Sequence, residues 1–172
     1  MIELLRSRRS VRRYADRPIE RSKQALLEEA LLRAPSSHHK RPWEFIFVED
    51  RETLGLLAQA KPHVSSFLAG APLGIVICGD SNLSDMWVED CSIAAILLQV
   101  TAHSLGLGSC WVQIRGRMHD ESTPAGEYIR RLLDIPARLD VQAVIGAGYP
   151  AEAKPGRAAE ELLRDRIRRH RR

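Results

Sequence analysis

Residues 87 to 105 read WVEDCSIAAILLQVTAHSL, and after Asp90 the segment is apolar on nearly every side. A surface helix needs one apolar stripe, whereas a helix that is apolar all round must be covered by other elements. The pattern therefore predicts a long buried helix at the centre of the molecule. Gly106 follows directly and suits the left-handed residue that often closes a helix, because it has no Cβ to clash there.

The flanking segments supply what such a helix packs against. In ERSKQALLEEALLRAP, Leu27, Ala30, Leu31 and Ala34 recur at helical spacing until Pro35 stops the pattern. PWEFIFVED carries aromatic and β-branched residues and reads as a strand leading into a second helix near Glu52. APLGIVICGD is short and continuously apolar, the pattern of a strand covered on both faces. GSCWVQI and LDVQAVIGAGYP read as further strands, with a helix begun by Pro124 between them. Four or five strands mixed irregularly with helices predict an α+β fold in one domain rather than a regular βαβ series.

Charge is distributed unevenly. The chain carries a formal +4, yet RDRIRRHRR at 164–172 alone holds +5, so the basic pI belongs to a tail. Residues 158–172 read as a charged C-terminal helix with little apolar surface to bury against its own domain. No stretch is long and apolar enough for a membrane span, and MIELLRSRRS lacks the apolar core of a secretory signal, so the expectation is a soluble cytoplasmic protein. Cys78, Cys91 and Cys110 are odd in number, widely spaced and set among apolar neighbours, which favours buried thiols over disulfides or a zinc site.

The chain contains no P-loop, GxGxxG, HExxH, CxxC or GxSxG motif, so its chemistry has to be borrowed. What it does contain is arginine. RRSVRRYADR at residues 8–17 is either a solvated face or an anion clamp. In an extended segment Arg8, Ser10 and Arg12 share one face, two guanidinium forks flanking a hydroxyl. Lys154 and Arg157, in a Pro/Gly loop after the last strand, form a second basic group that suits a phosphate if the two loops meet. His38 and His39 in APSSHHKRPW read as a solvated loop or as metal ligands needing further partners, while Ser36 and Ser37 offer hydroxyls and N–H groups to a ligand.

Taken in order, RRSVRRY, APSSHHKRPWEFIFV, WVEDCSIAAILLQVTAHSLGLGSCWV and IGAGYPAEAKPGR resemble the nitroreductase family of FMN-dependent oxidoreductases in its compact single-domain form, over residues 2–157. The resemblance implies a central mixed, mainly antiparallel sheet flanked by helices around the buried helix. It implies an FMN-binding domain over 1–157, the basic tail at 158–172, and a homodimer with two flavins at its interface. By the same match Arg8, Arg9 and Ser10 lie along the phosphate and ribityl chain and Arg12 lies near the pyrimidine edge. Pro35, Ser36 and Ser37 pack against the flavin from the partner subunit, with His39 standing where the family more often has Asn. Gln113 and Ile114 present backbone to the N5 and O4 edge, and Lys154 and Arg157 close on the phosphate. No residue is named as catalytic, because the cofactor carries the hydride from NADH or NADPH to a small electron-poor acceptor. Other readings from the same sequence are a dehalogenase or flavin-fragmenting enzyme of the same fold, and a flavin-binding or nucleic-acid-binding regulator.

Overall fold

The computed structural model describes residues 1–170. Four strands, β1 (Trp43–Val48), β2 (Leu73–Asp80), β3 (Gly108–Gln113) and β4 (Leu139–Gly148), form one sheet in the order β1-β2-β4-β3, with every neighbouring pair antiparallel. One parallel bridge, Ser10 to Ser109, adds the N-terminal segment to the outer edge of β3 and makes the sheet mixed. Among the described residues five α-helices accompany it: α1 (Ile2–Ser7), α2 (Arg21–Leu32), α3 (Arg51–Leu57), α4 (Trp87–Ser104) and α5 (Ala125–Leu132).

Side chains alternate along a strand, so β2 feeds two cores at once. Ile75 and Ile77 join Leu27 and Leu31 of α2 and Ala94, Ala95 and Leu98 of α4 on one face. Val76 and Cys78 join Leu54 and Leu57 of α3 and Ala125 and Ile129 of α5 on the other. This is the physical reason for the unbroken apolar run in β2, and the strand lies in the sheet interior with both faces covered. At the α4 crossing Gly79 has no side chain, because a Cβ there would lie 2.7 Å from Trp87 Cε3 and 2.9 Å from Cys91 Sγ.

Two expectations are corrected. The α4 helix buries Cys91, Ala94, Ala95, Leu98 and Ala102, but Ile93 and Ile96 on its other side are exposed, so the protomer covers only part of it. The tail is not an α-helix among its described residues: 158–170 hold only two single 3₁₀ turns, Ala159–Glu161 and Arg164–Arg166, and every residue is exposed. A short helix in water needs an apolar face to pack, and Leu162, Leu163 and Ile167 find none in this protomer. The last two residues of that tail lie outside the described ones. The three cysteines are free and buried, and among the described residues no helix is long and apolar enough to cross a membrane.

The N-terminal segment is held to β3 by a close approach that tolerates no extra atom. A Cβ at Gly108 would sit 2.6 Å from Val11 Cβ and under 3 Å from both its methyls. Gly108→Ala should therefore cost about 1–3 kcal/mol by overpacking. Chemical denaturation is expected to show that loss, and Val11→Ala in the same chain should recover part of it, since contacting sites couple.

Candidate functional site

The arginine segment begins where α1 stops. Arg8 caps α1 in an extended conformation (φ −61°, ψ 129°), and from there the chain runs along β3. Val11 donates its N–H to Ser109 O at 3.1 Å, Ala15 donates to Tyr149 O at 2.8 Å, and Tyr14 donates its hydroxyl to Val11 O (2.6 Å) and Gly146 O (3.0 Å). Val11 is buried and Tyr14 half-buried, which turns the interleaved Arg side chains outward.

The loop after β4 closes over this segment, so the two basic groups of the sequence do meet. Arg9 Nη1 donates to Pro155 O at 2.5 Å, and Lys154 Nζ donates to Ser10 O at 3.1 Å. A cleft of about 580 Å³ opens beside them, lined by Arg6, Arg8, Arg9, Arg157 and Arg164 over an apolar floor, with no carboxylate in its wall. Gly156 makes the approach possible, because a Cβ there would lie 2.0 Å from Arg6 O.

Glu152 is the residue that sequence reasoning missed. Its Oε1 accepts the Arg12 N–H (2.7 Å), the Arg13 N–H (3.3 Å) and Lys154 Nζ (2.8 Å), so one carboxylate ties the two loops together. The Arg12 N–H foremost, and then the Lys154 ammonium, hold its pKa down to about 2. The only sequence signal was an acidic residue two positions before Lys154. Lys154 is thereby engaged as a brace, whereas Arg8 and Arg12 have no side-chain ion pair among the described residues.

The remaining predicted residues lie elsewhere. Pro35, Ser36 and Ser37 lead into a turn in which His38 (φ 50°), His39 (φ 56°) and Arg41 (φ 48°) all hold left-handed backbone, a strained arrangement for side chains of this size. Ser37 N donates to Asp90 Oδ1 at 2.9 Å and Arg41 N to Ser36 Oγ at 2.9 Å, which fixes the turn at the start of α4. Ser7, next to Arg8, instead contacts His103 at the end of α4 (2.7 Å). Thirteen helical residues, about 20 Å, separate those contacts. Within one protomer, then, Ser36 and Ser37 are not beside the arginines.

Gln113 and Ile114 close β3. Ile114 is fully buried and donates its N–H to Gln142 O at 3.3 Å, while Gln113 accepts from Trp111 Nε1 (3.0 Å) and donates to Arg115 O (2.9 Å). Five strand residues, about 17 Å, run from the arginine end at Ser109 to Ile114. Nucleophilic thiol chemistry has no place in this arrangement. Burial pushes Cys78 and Cys91 up to about 12, and it raises Cys110 even though Arg12, Lys154 and Arg8 pull the other way. Among the described residues no three His, Cys, Asp or Glu side chains gather as metal ligands.

The depressed Glu152 sets a pH dependence. A carboxyl whose folded pKa lies below its unfolded value stabilises the fold above the unfolded pKa, and that contribution is lost as pH falls toward the folded one. Here the window runs from the ordinary 4.5 down to about 2. Glu152→Gln should be less stable than the natural protein at neutral pH and should lose less stability between those limits, as followed by urea denaturation across the acid range.

Comparison with known proteins accords with this geometry. A chain from Methanothermobacter thermautotrophicus, provisionally named NADH dehydrogenase/NAD(P)H nitroreductase, is 38% identical over 159 residues, covering 91% of this chain and 80% of that one. The FMN reductase [NAD(P)H] of Bacillus subtilis is 26% identical, over 95% of this chain and 72% of that one. A solved FMN-dependent nitroreductase from Clostridium difficile R20291 superimposes with a TM-score of 0.97 at 42% identity, over 99% of both chains. The model of the nitroreductase family matches residues 5–72 and 56–149, and the chain belongs to that family.

Proposed function

We propose that the protein is an FMN-dependent NAD(P)H oxidoreductase that reduces a small electron-poor acceptor, a nitroaromatic, quinone or similar compound, in a ping-pong cycle. The observation that carries this reading is the convergence of Arg8, Arg9 and Arg157 on a cleft whose wall holds no carboxylate. Arg8 and Arg9 have no ion pair among the described residues and Arg157 has only the exposed Glu161 at 3.7 Å, so the cluster suits a dianionic ligand group such as a phosphate monoester, and planar guanidinium forks suit its oxygens. The residues present therefore fit FMN, and the family relatives named for FMN support the same choice.

When bound, FMN supplies two-electron transfer between a nicotinamide donor and an acceptor that use the same face in turn. The chain's own residues bind and orient. Arg8, Arg9 and Arg157 hold the phosphate, Ser10 lies along the ribityl chain, and Lys154 positions the Ser10 backbone from behind. Gln113 and Ile114 stand at the far end of β3, where the ring would lie. Arg12, exposed and free of ion pairs among the described residues, is assigned to the pyrimidine edge, where reduction builds negative charge.

The functional unit in this reading is a homodimer. Exposed Ile93 and Ile96 on α4 offer an apolar face to a second copy, and that copy brings Pro35, Ser36 and Ser37 to the flavin that the first copy's arginines hold. Residues 1–157 form the flavin-binding domain. The tail, over its described residues 158–170, lies along the partner in this reading, and its charge is not assigned to nucleic acid. The proposed location is the cytoplasm.

Three measurements test this. Denatured protein should release FMN and not FAD, as resolved by chromatography, and FAD or no retained flavin would overturn the reading. A fixed cation at the reduced ring favours the reduced form, so Arg12→Gln should lower the midpoint potential, by about 30 mV for each ~1.4 kcal/mol of differential interaction. Arg157→Gln should instead weaken FMN binding with a nearly unchanged potential, and potentiometric titration beside FMN dissociation constants separates the two. Removal of residues 164–172 should lower dimer stability, read by sedimentation at falling concentration, more than it alters the flavin spectrum.

A further inference from the structure

A second cleft, of about 650 Å³, lies just beyond Ile114 at the end of β3. Its floor is Trp87, whose ring is pinned against bare Gly79 of β2. Over the ring stands Arg115, with Cζ 5.7 Å from the ring centroid. Residues Ile114–Arg117 form a tight turn in which Arg117 N donates to Ile114 O at 3.0 Å and Gly116 takes the left-handed conformation (φ 69°). Glycine at that position leaves the turn unstrained and sets Arg115 and Arg117 at the cleft mouth.

The charges around this cleft do not cancel. Glu127 is engaged by both Arg130 and Arg131, and those guanidinium groups hold its carboxyl below the usual range. Neither Arg115 nor Arg117 makes a side-chain ion pair among the described residues, so Asp140 is the one lining carboxylate left to oppose two exposed cations. A pinned indole, an arginine lying over it and a second arginine at the rim form a site for a planar ring that carries a negative group.

We propose that this cleft selects acceptors that are anionic aromatic compounds, with the ring against Trp87 and the carboxylate or an equivalent anion against Arg115 and Arg117. The inference rests on the reading of the Ile114 end of β3 as the flavin-ring end. The same chemistry would also take a phosphate of the nicotinamide donor, and the experiment separates the two sources. Arg115 and Arg117 are exposed, and the backbone N–H of Arg115 is held by Gln142 O (3.1 Å), so removal of either side chain leaves the fold intact.

The probes are 4-nitrobenzoate and its neutral analogue 4-nitrobenzamide. Their dissociation constants are measured by calorimetry on the oxidised, FMN-loaded protein without donor, so that binding is read without turnover. The acid is expected to bind about tenfold more tightly than the amide, equivalent to ~1.4 kcal/mol and close to the lower end of what a hydrogen bond to a charged group contributes. That ratio should fall to about one in the Arg115→Gln/Arg117→Gln variant, while Trp87→Leu should weaken acid and amide alike. Equal binding of acid and amide by the natural protein, or a ratio that survives the double substitution, overturns the proposal. So does a change in the ratio of kcat/KM for NADPH to that for NADH in the double variant with the acid-to-amide ratio intact, which would assign the cations to the donor. Failure of the flavin reading shows separately, as absent FMN retention and absent NAD(P)H oxidation in the natural protein before any probe is added.

Discussion

Everything in this molecule is arranged around one packing problem, the burial of α4 (Trp87–Ser104). Its small residues Ala94, Ala95 and Ala102 let the helix lie close on the sheet, and Leu98 and Cys91 fill the space between. Because the sheet lies against α4 on one face, α3 and α5 are free to cover the other, and β2 must be apolar throughout. The cost of this solution is Ile93 and Ile96, apolar side chains that one protomer leaves in water. That unsatisfied face is the surface that the proposed homodimer would cover.

The same helix sets the scale of the site. One of its ends holds the Ser36–Ser37 turn through Asp90, and the other touches the arginine segment through His103 and Ser7. Groups about 20 Å apart on a rigid rod cannot share one small ligand unless a second copy brings them together. At the arginine end, backbone contacts do the positioning: the Val11–Ser109 hydrogen bond, bare Gly108 beneath Val11 and bare Gly156 beneath Arg6. The side chains of Arg8 and Arg12 are thus left without an ion pair among the described residues, while Glu152 and Lys154 are engaged in loop closure and Arg157 faces Glu161.

That division of labour separates the two clefts. The one beside Arg8 and Arg157 has no acid in its wall and suits a strongly charged phosphate, while the one beside Trp87 mixes an aromatic floor with two cations and one acid. Strand β3 joins them over about 17 Å, so a single elongated cofactor aligned on that strand would have its charged end in the first and its reactive ring at the threshold of the second.

The sequence by itself determined the elements and the family. Its periodicities placed all four strands and the long α4 helix, though not the exposed side of that helix, because whether a residue is apolar follows locally from the core it must face. The order of four segments identified the nitroreductase family, and the density of arginine raised an anion clamp beside a solvated face. It misjudged the tail, because charged residues with scattered Leu162, Leu163 and Ile167 read as a helix only if something is present to pack against. Only the tertiary structure decided which arginines are free. Glu152 lies about 140 residues from Arg12 and was invisible as its partner, and Lys154 lies 144 residues from the Ser10 carbonyl that it braces. Those facts depend on distances through space, and a counter-ion acts through space whatever its position along the chain.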